Sequence, residues 1–429
     1  MDILTEKKNL MATIYLKAGR AVKGINDTTS IGKACDIARI YNDSGVDELL
    51  LYDLSDTREE HELSLNVIKE INRILEIPSY AFGFTTTVRN IREYLVSGCK
   101  RVVLNSSDPD LLEILPECVQ MFKKERLSLA IDNINFLFKK REEIDESFND
   151  LFVFDENILD SIAFMTSFPY YYMVNSSNIA DYDASLKNPH CLGVMGPLIN
   201  DTLTDIVMMK RELLNNGITV NIYESSMQFD EFNANGGIIY CITQDYRTHE
   251  VIGYGVLNKE AFNMSIANGK LHYFDIFTKK IYRVGWQTNN FQYIKAISVD
   301  DKRRLIIVNV STISSDNDVN ESARFTEILR KDFTEKNTDK LLEVIYNHIC
   351  ERRINPREGS YTTSVLNSGK NGIAKKFMAE GTDLVLSAKV HDVEGVRAEI
   401  SDLIFLMMIM MSEFNITWDD IMNELSQRK

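Results

Sequence analysis

The run DELLLYDL (Asp47–Leu54) decides the fold of the front of the chain, because it is one of a series of short apolar runs that amphipathic stretches separate. The predicted strands are Met11–Lys17, Glu48–Leu54, Ser79–Phe84, Lys100–Ser106 and Leu127–Asp132, and the predicted helices are Ile31–Asp43, Glu60–Leu75, Val88–Ser97 and Leu111–Lys124. Strands that alternate with helices at this spacing predict βα units and a parallel sheet.

Composition limits what the protein can be. A chain of 429 residues is too long for one ordinary core, and its 44% hydrophobic and 26% charged residues are typical of a globular protein. The net charge of −15 argues against a nucleic-acid partner but leaves room for a phosphorylated ligand. The longest apolar run, Leu403–Met411, is too short to span a bilayer, and the start lacks a secretory apolar region. We therefore expect a cytoplasmic protein without a membrane partner.

Four motifs mark the front of the chain: KAGRAVKG (Lys17–Gly24), DELLLYDL, CKRVVLNSS (Cys99–Ser107) and AID (Ala130–Asp132). They resemble the (β/α)₈ cyclase barrel of histidine biosynthesis, and HCLGVMG (His190–Gly196) and GITVNIYE (Gly217–Glu224) resemble its late strands. The resemblance implies a barrel over residues 1–224.

The chemistry of this barrel is predicted to be lost. The family's first acid aligns with Tyr15, so that only the second, Asp132, remains. The glycine-rich phosphate loop is reduced to GFTT, where Phe84 would obstruct an anion that needs backbone N–H groups. We expect a structural or docking barrel.

A β-rich region follows, in which LNKEAF, GKLHYF and FQYIKAI occur in this order within Gly236–Val310. This stretch resembles phosphoribosyl-AMP cyclohydrolase, which implies a domain over residues 225–315. That family needs a zinc ion held by three thiolates, magnesium-binding aspartates and a histidine near the reacting ring. Asn290 stands at the histidine position, and in VDDKRR, which contains Asp300, Asp301 replaces the first cysteine. The two later cysteines are missing, and the six cysteines and six histidines of the chain form no cluster. We expect no zinc and no ring opening.

Residues 325–429 are predicted to be helical and resemble phosphoribosyl-ATP pyrophosphohydrolase, an all-α family. The matching motifs are EVIYNHICERR, PREGSYT (Pro356–Thr362), AEGTDLVLSAK and EISDLIFLMMIMM. The predicted architecture is thus a multidomain chain with a (β/α)₈-like barrel, a small β-rich domain and a C-terminal helical bundle.

Two helices of this last region carry acids on a packing face. Glu380 and Asp383, and likewise Glu399 and Asp402, are spaced three apart and share a helix face. The resemblance places all four at Mg²⁺-binding positions, with Glu380 and Glu399 also catalytic. Converging carboxylates need a compensating cation, and Mg²⁺ prefers oxygen ligands and bridges phosphates. Two departures are Ala379, where the family has a glutamate, and Asp383, which is one methylene shorter than the family's residue.

Substrate contacts are expected from Arg357, Ser360, Tyr361, Lys375 and Lys376. The first hypothesis is Mg²⁺-dependent hydrolysis of phosphoribosyl-ATP to phosphoribosyl-AMP and pyrophosphate. The alternatives are a non-catalytic paralogue, which binds nucleotide or pairs with an intact enzyme, and a pyrophosphohydrolase for another nucleotide. The apolar run Leu403–Met411 is predicted to pack between helices or to form a homodimer interface.

Overall fold

The computed structural model describes residues 7–109, 111–132, 134–165, 168–285, 291–312, 341–354, 356–357, 359–414, 416–418 and 420–422. The chain divides into two compact units, Met1–Thr326 and Glu327–Lys429, called here the first unit and the helical unit. The strands are β1 (Asn9–Lys17), β2 (Arg20–Gly24), β3 (Asp27–Gly32), β4 (Glu48–Asp53), β5 (Ser79–Phe82), β6 (Arg101–Asn105), β7 (Leu127–Ile131), β8 (Leu151–Val153), β9 (Tyr170–Met173), β10 (Cys191–Met195), β11 (Ile238–Asp245), β12 (Val251–Asn258), β13 (His272–Phe274), β14 (Ile281–Arg283), β15 (Tyr293–Val299) and β16 (Leu305–Ser311). The helices are α1 (Ala34–Ser44), α2 (Arg58–Ile74), α3 (Val88–Val96), α4 (Leu111–Met121), α5 (Ile134–Lys139), α6 (Arg141–Ser147), α7 (Glu156–Met165), α8 (Ile179–Leu186), α9 (Pro197–Asn200), α10 (Ile206–Asn215), α11 (Lys259–Asn268), α12 (Leu341–Ile354), α13 (Tyr361–Asn367), α14 (Gly369–Lys389) and α15 (Val393–Phe414).

The predicted barrel is confirmed. Eight parallel strands pair in the order β10, β9, β8, β7, β6, β5, β4 and β1, and β10 closes the barrel on β1. The hairpin β2–β3 adds two antiparallel strands after β1. The prediction that Gly217–Glu224 is a late barrel strand is wrong, because the closing strand is β10 and this segment makes one isolated bridge, between Val220 and Lys8.

Alternating side chains build the two layers of the barrel core. On β1, Leu10, Ala12 and Ile14 point into the layer between strands and helices, whereas Met11 points into the barrel interior. The interior is filled by large side chains such as Tyr80 and Phe152. The barrel is therefore a packed core without a pore.

Local signals fix the ends of the barrel helices. Thr57 and Thr87 cap α2 and α3, each accepting a hydrogen bond from the backbone N–H three residues on. Helix α1 ends at Gly45, whose φ of +98° is a left-handed conformation that glycine adopts without strain. These caps place the polar loops after each strand at one end of the barrel.

The β-rich region packs against the barrel within the first unit. Its sheet has the order β12, β11, β16 and β15, with β11 parallel to β16, and α11 packs against the same core. Buried polar contacts join it to the barrel: Lys295 lies 2.6 Å from Asp43, and the Ser311 hydroxyl donates a 2.5 Å hydrogen bond to the same carboxylate. The barrel and the β-rich region therefore share one continuous body.

The helical unit is built from α12, α13, α14 and α15 around a small apolar core. Leu406, Met408 and Ile409 of α15 are buried there with Ile373 of α14 and Ile349 of α12. Part of the run Leu403–Met411 thus packs between helices, as predicted. Among the described residues, no helix combines the length and apolar character that a bilayer crossing requires.

Candidate functional site

Three of the four predicted acids come together in the helical unit. One carboxylate oxygen from each of Glu380, Asp383 and Glu399 lies within 4.8 Å of the others; we call this group the carboxylate cluster. Two ligand oxygens on opposite sides of one Mg²⁺ are about 4.2 Å apart, so a small side-chain movement would close the group around an ion. It is the one group of three or more potential metal ligands found in the described part of the chain.

Helix geometry explains the cluster. Glu380 and Asp383 lie one turn apart on α14, and Glu399 projects from α15, which packs along α14. Gly381 sits between the two α14 acids, and a Cβ added there would have no neighbour within 4 Å. The acids are thus held by two packed helices and not by a loop.

Electrostatics single out Glu399. Its partly desolvated position raises the pKa of its carboxyl, and a hydrogen bond with Glu380 and the negative charges of Glu380, Asp383 and Asp402 raise it further. Its Oε2 atom is buried, and nothing in the described part of the chain donates a hydrogen bond to it. A buried oxygen of this kind is costly unless a cation or another ligand satisfies it.

Asp402 lies outside the carboxylate cluster. Its charge acts on Glu399, but it is exposed and is absent from the group of oxygens that lie within 4.8 Å. Asp383 is also exposed, whereas Glu380 and Glu399 are half-buried. The acids therefore lie at the border of the packing face, where α14 and α15 open towards solvent.

The predicted substrate residues divide into two groups. Lys376 lies one turn before Glu380 on the same helix face, about 6 Å along the axis, and its ammonium is 5.4 Å from the ring centroid of Tyr361. Lys375 is rotated by about 140° from Glu380 around α14. Only Lys376 is therefore aligned with the carboxylate cluster.

Tyr361 opens α13 directly after the cap. Ser360 caps this helix by accepting a hydrogen bond from the Thr363 backbone, and Arg357 is exposed just before it. The Tyr361 ring is exposed and lies 6.2 Å from the ring of Phe405 on α15. Phe405 was not among the predicted site residues, because nothing in the sequence distinguishes it from its apolar neighbours in the run Leu403–Met411.

Aromatic side chains fill the mouth of the barrel at the carboxyl ends of its strands. Tyr15 is 5.6 Å from Tyr52, which is 4.5 Å from Phe82, which in turn stacks on Phe154 at 5.2 Å. Burial and the neighbouring Tyr52 raise the pKa of Tyr15. A tyrosine that keeps its proton in this stack offers no carboxylate chemistry.

The remaining barrel acid is held by serines. Asp132 is exposed after β7 and accepts hydrogen bonds from the hydroxyls of Ser106, at 2.8 Å, and Ser107. Phe84 does not stand free over the reduced loop, because it stacks on His61 with ring centroids 4.5 Å apart. Loop and acid are thus each engaged within the barrel itself.

The start of α9 is a second place where a barrel of this kind can bind an anion, and it was not among the predicted site residues. In (β/α)₈ barrels the loops after the last two strands and a short helix often bind phosphate. Here the Leu198 N–H, at the start of α9, donates to the Tyr182 hydroxyl at 3.1 Å, and that hydroxyl donates to the Ser176 carbonyl. A tyrosine oxygen therefore stands where an anion would accept.

The β-rich region shows a turn at VDDKRR. Asp300 accepts hydrogen bonds from the backbone N–H groups of Arg304 and Leu305, which lower the pKa of its carboxyl, the Leu305 bond most. Asp301 is exposed in the same turn, and Cys241 is buried in the core of the region. Asn290 lies outside the described residues. Asp300 thus stabilises the turn between β15 and β16.

The comparisons with known proteins agree with this division. Residues 9–151 match the family model described as histidine biosynthesis protein, and residues 342–429 match phosphoribosyl-ATP pyrophosphohydrolase. The histidine biosynthesis bifunctional protein HisIE of Thermoanaerobacter pseudethanolicus is 32% identical over 203 residues, which are 44% of this chain and 94% of that protein. HisIE of Caldanaerobacter subterraneus is 31% identical over 204 residues, 47% of this chain and 96% of its own.

The barrel has its own relative. The imidazole glycerol phosphate synthase subunit HisF of Streptococcus sanguinis is 31% identical over 128 residues, 29% of this chain and 51% of that protein. Because similarity to HisIE extends over nearly the whole length of those relatives, the chain belongs to the HisIE family of bifunctional histidine biosynthesis proteins, as a divergent member with a (β/α)₈ barrel at its front.

Proposed function

We propose that the helical unit hydrolyses phosphoribosyl-ATP to phosphoribosyl-AMP and pyrophosphate with Mg²⁺, as a step of histidine biosynthesis. The carboxylate cluster supports this most strongly, because three acids share one site and Glu399 Oε2 is buried without a donor among the described residues. An all-oxygen donor set suits Mg²⁺, which is usually held by carboxylates and substrate phosphates. The family membership supplies the substrate.

The residues divide the work. Glu380, Asp383 and Glu399 would hold the ion, with Asp402 adding negative charge beside Glu399. When bound, the ion would neutralise charge on the departing pyrophosphate. Glu380 and Glu399 are also proposed to take the proton of the attacking water. Lys376 would bind a phosphate oxygen as a point charge, and Tyr361 offers an exposed ring beside it.

The test is pyrophosphate release from phosphoribosyl-ATP with Mg²⁺. Glu399→Gln keeps the shape of the side chain but removes its charge, and we expect a loss of about 100-fold or more in the rate. Glu394→Gln is the matched control, because Glu394 is exposed on the same helix and pairs with Arg397. The proposal fails if the parent releases no pyrophosphate at high enzyme concentration, or if both variants keep the parent rate.

One observation favours a second candidate, a non-catalytic paralogue that binds nucleotide or pairs with an intact enzyme. Ala379 is exposed on α14 where the family has a glutamate, and the shorter Asp383 completes the cluster instead. Under this alternative, phosphoribosyl-ATP binds with Mg²⁺ but is not cleaved. Calorimetric binding without pyrophosphate release distinguishes the two. A hydrolase for another nucleotide would cleave that nucleotide faster than phosphoribosyl-ATP.

We further propose that the barrel and the β-rich region no longer catalyse. The aromatic mouth of the barrel, the Tyr182 hydroxyl at α9 and the hairpin role of Asp300 support this. Without a cluster of soft ligands, the β-rich region would hold no zinc. Metal analysis of the purified chain is the check, since stoichiometric zinc would contradict the assignment.

We also propose a homodimer through the helical unit. Val393, Ile400 and Met407 repeat every seven residues on α15, Met378 and Val385 do so on α14, and all five side chains are exposed, Val393 to 70%. A seven-residue repeat keeps side chains on one helix face, which suits packing against a second copy. Ile400→Glu should shift the molar mass from light scattering to that of a monomer, whereas an unchanged mass would argue against this interface.

A further inference from the structure

A cavity of about 320 Å³ lies where the barrel meets the β-rich region, inside the first unit. The barrel contributes the end of α1, the residues before β4 and β5, and part of α10, and the other wall comes from β15. Ligand pockets usually enclose ~300–1,000 Å³. This cavity therefore suits a molecule smaller than a nucleotide.

A buried lysine, Lys210, lines the cavity. Lys210 is only 3% exposed, and its ammonium lies 2.6 Å from Asp47. Asp47 also accepts hydrogen bonds from the Leu10 N–H and the Asn221 amide. Asp47 is the one acceptor for Lys210 within the described residues, so two ammonium N–H bonds are left for a ligand.

A carboxylate, Glu76, also lines the cavity. Glu76 pairs with Lys295 at 2.9 Å, and Lys295 is also 2.6 Å from the buried Asp43. The side chain of Glu76 is 50% exposed, and a carboxylate has about four acceptor positions. Glu76 can therefore accept from a further donor while it keeps Lys295.

We propose that this cavity binds a free α-amino acid with an apolar side chain. Its carboxylate would accept from Lys210 and its ammonium would donate to Glu76. The lining also contains five apolar side chains, which would cover the side chain of the ligand: Val46, Ile77, Val207, Ile222 and Ile294.

The charged groups of the lining favour a ligand that both accepts and donates. Asp47 and Lys295 also line the cavity, paired with Lys210 and Glu76, so a plain anion would lie against two carboxylates and a plain cation against two ammonium groups. A nucleotide carries more negative charge than two unused N–H bonds of one lysine can balance. A molecule that carries both signs can use the free N–H bonds of Lys210 and the free acceptor positions of Glu76.

The test is calorimetric titration of the full chain with L-leucine, L-valine and L-phenylalanine. N-acetyl-L-leucine lacks the ammonium and 3-methylbutylamine lacks the carboxylate, so each should bind at least about tenfold more weakly than L-leucine, a loss of about 1.4 kcal/mol. Because the ligand contacts barrel and β-rich region together, it should also raise the unfolding temperature of the first unit.

Two variants separate binding from folding. Lys210→Met removes the ammonium, and Ile222→Trp fills the cavity without touching either ion pair; each should abolish binding. Lys187→Met is the control, because Lys187 is an exposed barrel lysine paired with Asp183. The proposal is overturned if no standard L-amino acid binds at millimolar concentration, if the N-acetyl derivative binds equally, or if both variants keep the affinity. Pyrophosphate release is not part of this test.

Discussion

Acids with little solvent contact occur in both units of the protein, but their neighbours differ. In the first unit three of these acids lie against cations: Asp43 with Lys295, Asp47 with Lys210, and Asp150 with Arg101. Two others accept hydrogen bonds from tyrosine hydroxyls, Glu48 from Tyr80 and Asp53 from Tyr94. In the helical unit, Glu399 lies against Glu380 and Asp383, which are also acids. A paired acid stabilises packing between elements, whereas grouped acids destabilise the fold until a cation arrives. Under the proposed function, the grouped acids are the ones that a metal ion would use.

The same contrast holds between the barrel and the helical unit. The barrel keeps Asp132, yet two serine hydroxyls satisfy this acid, and aromatic rings fill the mouth beside it. In the helical unit Ala379 stands where the resemblance implies a glutamate, yet Glu380, Asp383 and Glu399 still converge. Conservation of a single residue type is thus a poorer guide to chemistry than the partners that surround it.

Removing a cation from the first unit should have the largest effect on stability. Lys295→Met leaves the Asp43 side chain, which is 1% exposed, without its counter-charge. We expect the free energy of unfolding of the first unit to fall by about 3–5 kcal/mol, as for other broken buried pairs. Urea denaturation of the full chain, followed by circular dichroism, measures the loss.

The matched control is Lys259→Met, which breaks an ion pair with Asp230 in which both side chains are exposed. Such pairs contribute about 0–1 kcal/mol. Equal losses for the two variants would mean that the Asp43 pair is not a structural clamp.

Replacing a glycine should also have opposite effects in the two units, with a loss of stability in the first unit and a gain in the helical unit. Gly83 in the reduced barrel loop has a φ of +124°, and a Cβ there would lie 1.9 Å from the Asp53 carbonyl oxygen. Gly83→Ala should therefore cost about 1–3 kcal/mol or more. Gly381→Ala, in a helix with open space, should instead stabilise the helical unit by about 1 kcal/mol. Differential scanning calorimetry tests both, and a tolerated Gly83→Ala would show that this loop can rearrange.

Much of the fold followed from the sequence, because strands such as β4 and β7 are apolar runs bounded by clear helices. Strand β8 was not predicted, because three residues are too few to show a period. Strand β9 was not predicted either, although it has three consecutive tyrosines. The segment Gly217–Glu224 has strand-like composition, but its one bridge, from Val220 to Lys8, leaves it outside the barrel sheet.

The candidate site was predictable in its residue types but not in its geometry. Spacing placed Glu380 and Asp383 on one face. Both Lys375 and Lys376 were expected to contact the substrate, although helix periodicity puts only Lys376 on the face of Glu380. No sequence pattern could show that Asp402 falls outside the group, because this depends on how α15 packs on α14. The burial of Glu399 Oε2 likewise depends on how α15 packs on α14, which the sequence does not show.

The smallest expected effect is the dependence of the helical unit on pH and Mg²⁺. The pKa of Glu399 is raised in the folded protein, so the folded state holds its proton more tightly than the unfolded state. Without metal, this contribution is fully present below the ordinary glutamate pKa of about 4.3 and is lost as the pH rises through the raised value. Calorimetry in EDTA should show the unfolding temperature of the helical unit falling as the pH rises over this range.

Mg²⁺ should reverse this fall, because it binds the ionised cluster. Glu399→Gln should remove both the fall and its reversal, whereas the control Glu394→Gln should keep them. A fall that Mg²⁺ does not reverse would mean that the three acids form no metal site and that their convergence is only a packing cost.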